Sequence, residues 1–232
     1  MAPPTVVGFD LDGTLFDHEQ AARRAIASFV TDRGWPLAPD IEDRWIRLEY
    51  VHFGAYAQGR IGFHEQRRLR MGALLSALAV DAPGHEIDDL FAEYFVHYRE
   101  HWVAYPDTVP ALDRLSDMGL VLAVLTNGQQ GLQTEKLERM GVLDRFDVVL
   151  AASELPAFKP QAAAFDALCR AVGASAPEVA FVGDDLAADV GGAAAAGLRP
   201  VWIDRAGAGG GPDDVLVVRS LDELDHVAIA RL

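Results

Sequence analysis

Asp10 and Asp12 stand together in Asp10-Leu11-Asp12-Gly13-Thr14, directly after the apolar run Thr5-Val6-Val7-Gly8-Phe9. A second apolar run, Val179 to Val182, ends in Gly183-Asp184-Asp185, and Asp189 follows shortly after. A third, Leu120 to Leu125, ends in Thr126-Asn127-Gly128, and Phe158-Lys159-Pro160 precedes a helical pattern that begins at Ala162. Helix capping would account for Asp185 or Asp189 taken singly. It does not account for acidic pairs at the ends of two separate runs, where like charges repel unless a cation sits among them. Hard carboxylate oxygens suit Mg²⁺, which keeps several waters and bridges phosphate. In that arrangement Asp10 and Asp184 supply the charge. An aspartate, with an ordinary pKa of about 3.9, is ionised at neutral pH and can attack phosphorus. A second carboxyl two residues on can protonate a leaving alcohol and later deprotonate water. Lys159, Thr126 and Asn127 would hold the phosphoryl oxygens.

These groups act together only if the runs that carry them lie side by side. Apolar runs also occur at Val148 to Ala151, Val201 to Ile203 and Val215 to Val218. Helical patterns alternate with the runs, at Pro110 to Met118, Gln133 to Met140, Ala162 to Val172 and Ala187 to Ala196. Buried strands alternating with helices imply βαβ units and a parallel sheet covered on both faces. In such a sheet ligands bind beyond the carboxyl ends of the strands, where every motif above is placed. Residues 17–103 differ. Their patterns are helical throughout (Glu19 to Arg33, Ile41 to Gln58, His64 to Ala79, Ile87 to Trp102), with Gly and Pro between them. The expected fold is therefore an α/β Rossmann-like parallel sheet core, residues 1–16 and 104–232, with an inserted helical cap domain at 17–103.

Composition narrows the classes. A net charge of −15 opposes nucleic-acid binding, which needs basic patches. No apolar run approaches the roughly 20 residues of a membrane helix, and the N-terminus has no basic segment before an apolar one. The single Cys169 has no partner for an intrachain disulfide, and the expected location is cytoplasmic. Only Lys136 and Lys159 are lysines and only Asn127 is an asparagine, so in this Arg- and Ala-rich chain each merits attention.

The motifs resemble, in order, the four of the haloacid dehalogenase (HAD) superfamily: Asp10 to Thr14, Thr126 to Gly128, Lys159-Pro160, and Gly183 to Asp189. The resemblance covers the whole chain, and the helical region is similar to that family's C1-type cap. It implies that Asp10 is the nucleophile and Asp12 the general acid/base. It implies phosphate binding by Thr126 and Lys159, with Asn127 beside them. Asp10 and Asp184 correspond to magnesium ligands, together with the backbone carbonyl of Asp12; Asp189 corresponds to a carboxylate that orients metal-bound water, and Asp185 is expected with it outside the direct ligands. Asp185 stands where many relatives carry a small polar residue, which leaves its relation to the metal open. Asp12 is absent from the dehalogenating members, so its presence favours phosphoryl transfer. The chain is similar to phosphatases of the N-acylneuraminate-9-phosphatase and pyrimidine 5'-nucleotidase types. The expectation is Mg²⁺-dependent hydrolysis of a small phosphorylated metabolite, a sugar phosphate or nucleoside monophosphate, by a monomer or homodimer. A phosphomutase would use the same motifs, and a non-catalytic domain could keep the fold.

Within 17–103, Arg60, His64, Arg67, Arg68 and Arg70 read as a solvated helix face. Arg23 and Arg24 read likewise. Trp45, Tyr50, Phe53, Tyr56, Phe91, Tyr94, Phe95 and Tyr98 read as core. Gly207 to Gly211 reads as a flexible loop, and Cys169 as core packing.

Overall fold

A computed structural model describes residues 2–36 and 38–232. It divides the chain into two compact units, Met1–Asp17 with Ala104–Leu232, and His18–Val103. In the first unit six strands form one sheet: β1 (Val6–Phe9), β2 (Val121–Thr126), β3 (Val148–Ala151), β4 (Val179–Gly183), β5 (Arg199–Ile203) and β6 (Leu216–Val218). The order is β3-β2-β1-β4-β5-β6 and every pairing is parallel, so the α/β Rossmann-like reading holds. β1 is central, with Phe9 level with Val124 on one side and Val182 on the other. The chain winds outward from β1 in both directions. The crevice at the strand ends beside β1 is therefore a topological switch point.

The apolar runs form strands because both faces of the sheet are covered. Val6, Leu125, Val179 and Phe181 pack with Phe165 and Leu168, and the rings of Phe165 and Phe181 meet edge to face at 5.2 Å. Phe165 and Leu168 lie on the helix Ala162–Val172, with partly buried Cys169 packed beside them. Burying each large apolar side chain contributes about 1.5–3 kcal/mol.

The second unit is helical: α1 (His18–Asp32), α2 (Ile41–Ala57), α3 (Phe63–Ala77) and α4 (Ile87–Glu100). Its centre is aromatic. Trp45 is fully buried, 4.6 Å from the Tyr94 ring and 6.1 Å from that of Phe91, and Tyr98 is buried as well. Tyr50 departs from the expected core, at 82 % exposure. Of the basic residues read as a solvated face, Arg68 behaves so, pairing with exposed Asp88. Arg70 does not. It is buried, pairs with Glu49 at 3.0 Å and stacks 4.5 Å over Trp45. Its partner lies on another helix, beyond any i, i+4 pattern. Trp45→Ala removes the ring that both the aromatic cluster and the Arg70 guanidinium rest on. It is expected to lower stability by about 3–5 kcal/mol, measured by urea unfolding followed by circular dichroism; a loss under about 1 kcal/mol would contradict this packing.

Candidate active site

Three strand ends and one loop bring the motif residues together. Asp10 leaves β1 with its backbone N–H donating to the Val182 carbonyl at 2.9 Å, and its side chain is buried. Lys159 Nζ donates to Asp10 Oδ1 at 2.6 Å and to Asp189 Oδ1 at 2.7 Å. Oxygens of Asp10, Asp184 and Asp189 all lie within 4.8 Å of one another. Asp189 reaches the site because the turn Leu186–Gly191 is a π-helical one, with the Val190 N–H bonded five residues back to the Asp185 carbonyl. Its other oxygen accepts from the Asp185 N–H at 3.1 Å.

The backbone holds these positions at several points. Gly13 has φ +97°, and a Cβ there would fall 2.3 Å from Asp184 Oδ2, so only glycine lets the first loop pass this carboxylate. Trp202 Nε1 donates to the Asp184 carbonyl at 2.9 Å. Arg205 Nη2 donates to the Thr14 carbonyl at 2.7 Å, while its Nη1 pairs with Asp107 at 2.9 Å.

The remaining candidates take distinct places. Thr126 is buried, and its Oγ1 accepts from Gln133 Nε2 at 2.8 Å and from the Gly128 N–H at 3.3 Å. With both lone pairs engaged, its own O–H is left to donate. Asn127 braces the third motif: Nδ2 donates to the Lys159 carbonyl at 2.9 Å, and Oδ1 accepts from the Lys159 N–H at 2.8 Å. Its side chain thus positions the lysine that the sequence places beside it. Asp185 caps the following turn, accepting from the Ala187 and Ala188 N–H groups at 2.7 and 2.8 Å. Asp12 accepts from Gln133 and Lys136, neither of which the sequence reading assigned to the site. The one signal was the rarity of lysine.

Charge explains the chemistry of the cluster. Burial pushes the Asp10 pKa well above the ordinary carboxylate value, Asp189 and Asp184 add to the rise, and Lys159 opposes it. Asp184 is pushed up to about 7, by desolvation first and then by Asp189. Its residue surface reaches solvent, but the protein crowding its carboxylate still leaves a large desolvation cost. Burial alone would lower the Lys159 pKa, but Asp10 and Asp189 outweigh it and hold the ammonium charged. One lysine among three carboxylates leaves negative charge uncompensated, which a hard divalent cation would offset. The donor set therefore fits Mg²⁺.

A pH dependence follows from these shifts. Between the ordinary value of 3.8 and about 7, folded Asp184 keeps a proton that the unfolded chain has lost. Its contribution therefore lowers metal-free stability as pH rises through that window. A divalent cation must displace the proton, so its affinity rises over the same window. The rise in melting temperature on adding MgCl₂ is expected to be larger at about pH 8 than at about pH 5.5; equal rises would contradict the cluster as the binding site.

Comparison with known proteins now adds to this geometry. The family described as haloacid dehalogenase-like hydrolase matches residues 4–197. The chain belongs to that family. Its sequence relatives include phosphatases. It is 30 % identical over 203 residues to the ribulose-1,5-bisphosphate 5-phosphatase of Halopiger xanaduensis, covering 86 % of this chain and 84 % of that protein. It is 29 % identical over 201 residues to the glyceraldehyde 3-phosphate phosphatase of Methanopyrus kandleri, covering 85 % and 82 %. Among solved structures, the HAD-hydrolase YfnB of Bacillus subtilis, bound to magnesium, superposes with a TM-score of 0.83 at 23 % identity, over 97 % of this chain and 98 % of that one. This last likeness shows the fold. The chain is thus a HAD-family hydrolase with phosphatase relatives.

Proposed function

We propose that this HAD hydrolase cleaves a small phosphate monoester through a phospho-aspartate formed on Asp10. The observation that carries the reading is the division of labour between two aspartates of one motif. Asp10 lies buried against Lys159 in the acidic cluster, while each carboxylate oxygen of Asp12 is bonded from the helix that carries Gln133 and Lys136. A nucleophile needs the first environment, and a proton carrier needs freedom from a metal to do its work.

Asp10 attacks phosphorus, and Asp12 delivers its proton to the departing oxygen and later takes one from water. Lys159 and the Thr126 hydroxyl hold phosphoryl oxygens. Asn127 keeps Lys159 in register, and Asp189 holds it from the far side. Asp10, Asp184 and the backbone carbonyl of Asp12 would hold Mg²⁺, with Asp189 orienting what it carries. When bound, the cation neutralises the charge that builds on the phosphoryl group and favours ionised Asp10. Asp185 acts as a cap for its own turn.

We read the helical unit His18–Val103 as a C1-type cap. The substrate is a sugar phosphate or nucleoside monophosphate, as in phosphatases of the N-acylneuraminate-9-phosphatase and pyrimidine 5'-nucleotidase types. Two relatives are named as phosphatases of phosphorylated sugars, which favours the first, while others are named phosphoglycolate and phosphoserine phosphatases, which is why phosphorylated acids belong in the test. A cytoplasmic setting agrees with the lone cysteine. Among the described residues no helix is long and apolar enough to cross a membrane.

Phosphate release from a panel of sugar phosphates, nucleoside monophosphates and phosphorylated small acids, with and without Mg²⁺, tests this reading. Release that needs Mg²⁺ and favours one class is expected. Transfer of the phosphoryl group between hydroxyls without release, or full activity in chelator, would contradict it.

A further inference from the structure

The helix α5 (Gln130–Arg139) presents two buried polar side chains on one face, Gln133 at 1 % exposure and Lys136 at 2 %. Both reach Asp12. The Lys136 ammonium bonds to Oδ1 and lies 4.6 Å from the centre of the Phe16 ring. Gln133 Nε2 donates to Oδ2 at 2.8 Å, and the same nitrogen donates to Thr126 Oγ1 at 2.8 Å. Each oxygen of Asp12 is thus held by a different residue of one helix, one turn apart. Gly128 makes room for this: a Cβ there would meet the Gln133 amide at 2.6 Å. A buried ammonium is costly to place, and breaking its pair costs more than never forming it, so a lysine here needs a reason beyond packing.

We propose that Lys136, together with Gln133, is a positioning residue for Asp12, fixing the orientation from which it passes its proton to the leaving oxygen. The inference rests on the phosphatase reading above. In the first half-reaction an Asp10 oxygen bonds to phosphorus. The bond from phosphorus to the ester oxygen breaks, and its electron pair stays on that oxygen. The Asp12 proton then completes the alcohol. Asp12 is left as a carboxylate, the form that an ammonium and an amide N–H bind. Because Gln133 also holds Thr126, the acid and a phosphate ligand are fixed to the same helix.

The test compares kcat/KM for an alkyl phosphate accepted by the wild type with that for p-nitrophenyl phosphate. An alkoxide needs a proton to leave, whereas a nitrophenolate does not. Positioned proton transfer is worth on the order of 10²–10⁴-fold. Lys136→Met is therefore expected to lower the alkyl-to-aryl ratio by about 10- to 100-fold. Lys136→Arg should restore most of the ratio. Asp12→Asn should lower it alone, and adding Lys136→Met to Asp12→Asn should lower it no further. The ratio is internal to each sample and does not depend on how much of a variant folds. Equal losses on both esters, or a further selective loss in the double variant, would overturn the proposal. A wild type that releases phosphate from neither ester would overturn the phosphatase reading, and this inference with it.

Discussion

Asp10→Asn is expected to abolish turnover, by on the order of 10⁴-fold or more, without weakening the fold. An amide cannot form the acyl phosphate, so only binding and electrostatic stabilisation remain. The effect on stability has a definite sign. In the metal-free protein, burial and the charges of Asp189 and Asp184 disfavour ionised Asp10. A group whose folded pKa lies above its unfolded one lowers stability once the pH exceeds the unfolded value. Removing its charge relieves that penalty, although the bond from Lys159 is weakened. Without metal at neutral pH the variant should therefore melt no lower than the wild type. Activity and a melting curve on one preparation check both halves. Retained activity would contradict the nucleophile, and a collapse in melting temperature would contradict the charge balance of the cluster.

Lys159→Met is expected to damage both. The lysine is buried, donates to Asp10 at 2.6 Å and Asp189 at 2.7 Å, and is the one basic side chain shown bonded to that cluster among the described residues. Its removal strands two buried carboxylates. Breaking a buried pair by deleting one partner costs about 3–5 kcal/mol. Turnover should fall as well, because a charged donor to the phosphoryl oxygens is gone. The two single variants thus separate by sign: deleting an anion spares the fold, and deleting the cation does not. Added Mg²⁺ should recover part of the stability lost in Lys159→Met, since it supplies positive charge to the same acidic cluster. Urea unfolding with and without MgCl₂ measures this; a Lys159→Met variant as stable as wild type would contradict the pairing.

What the sequence made legible is what has a local signature. Parallel strands buried on both faces leave continuous apolar runs, and Val6 to Phe9 or Val179 to Gly183 can be read directly. Their polar ends mark the side of the sheet where the motif residues gather. Long-range pairings leave no such mark. Lys136 and Asp12 are 124 residues apart, so no sequence window contains both, and the lysine registered only as a rarity. Arg70 read as solvent-facing because Glu49 is on another helix. Asn127 read as a phosphate ligand from its neighbours in sequence, while its amide is turned to the backbone of Lys159, 32 residues on. The π-helical turn that swings Asp189 onto Lys159 is equally invisible, because Ala187 to Ala196 has the pattern of an ordinary helix.

Turnover through Asp10 requires a covalent phosphoryl group on that side chain. Acid quench during turnover of the preferred substrate with Mg²⁺, followed by borohydride reduction and peptide mass spectrometry, tests it most directly, because an acyl phosphate is reduced where a free carboxylate is not. Reduction confined to residue 10, present only with substrate and absent in Asp10→Asn, is the predicted result. Full phosphate release with no reducible acyl phosphate at residue 10, or with one at another aspartate, would contradict it.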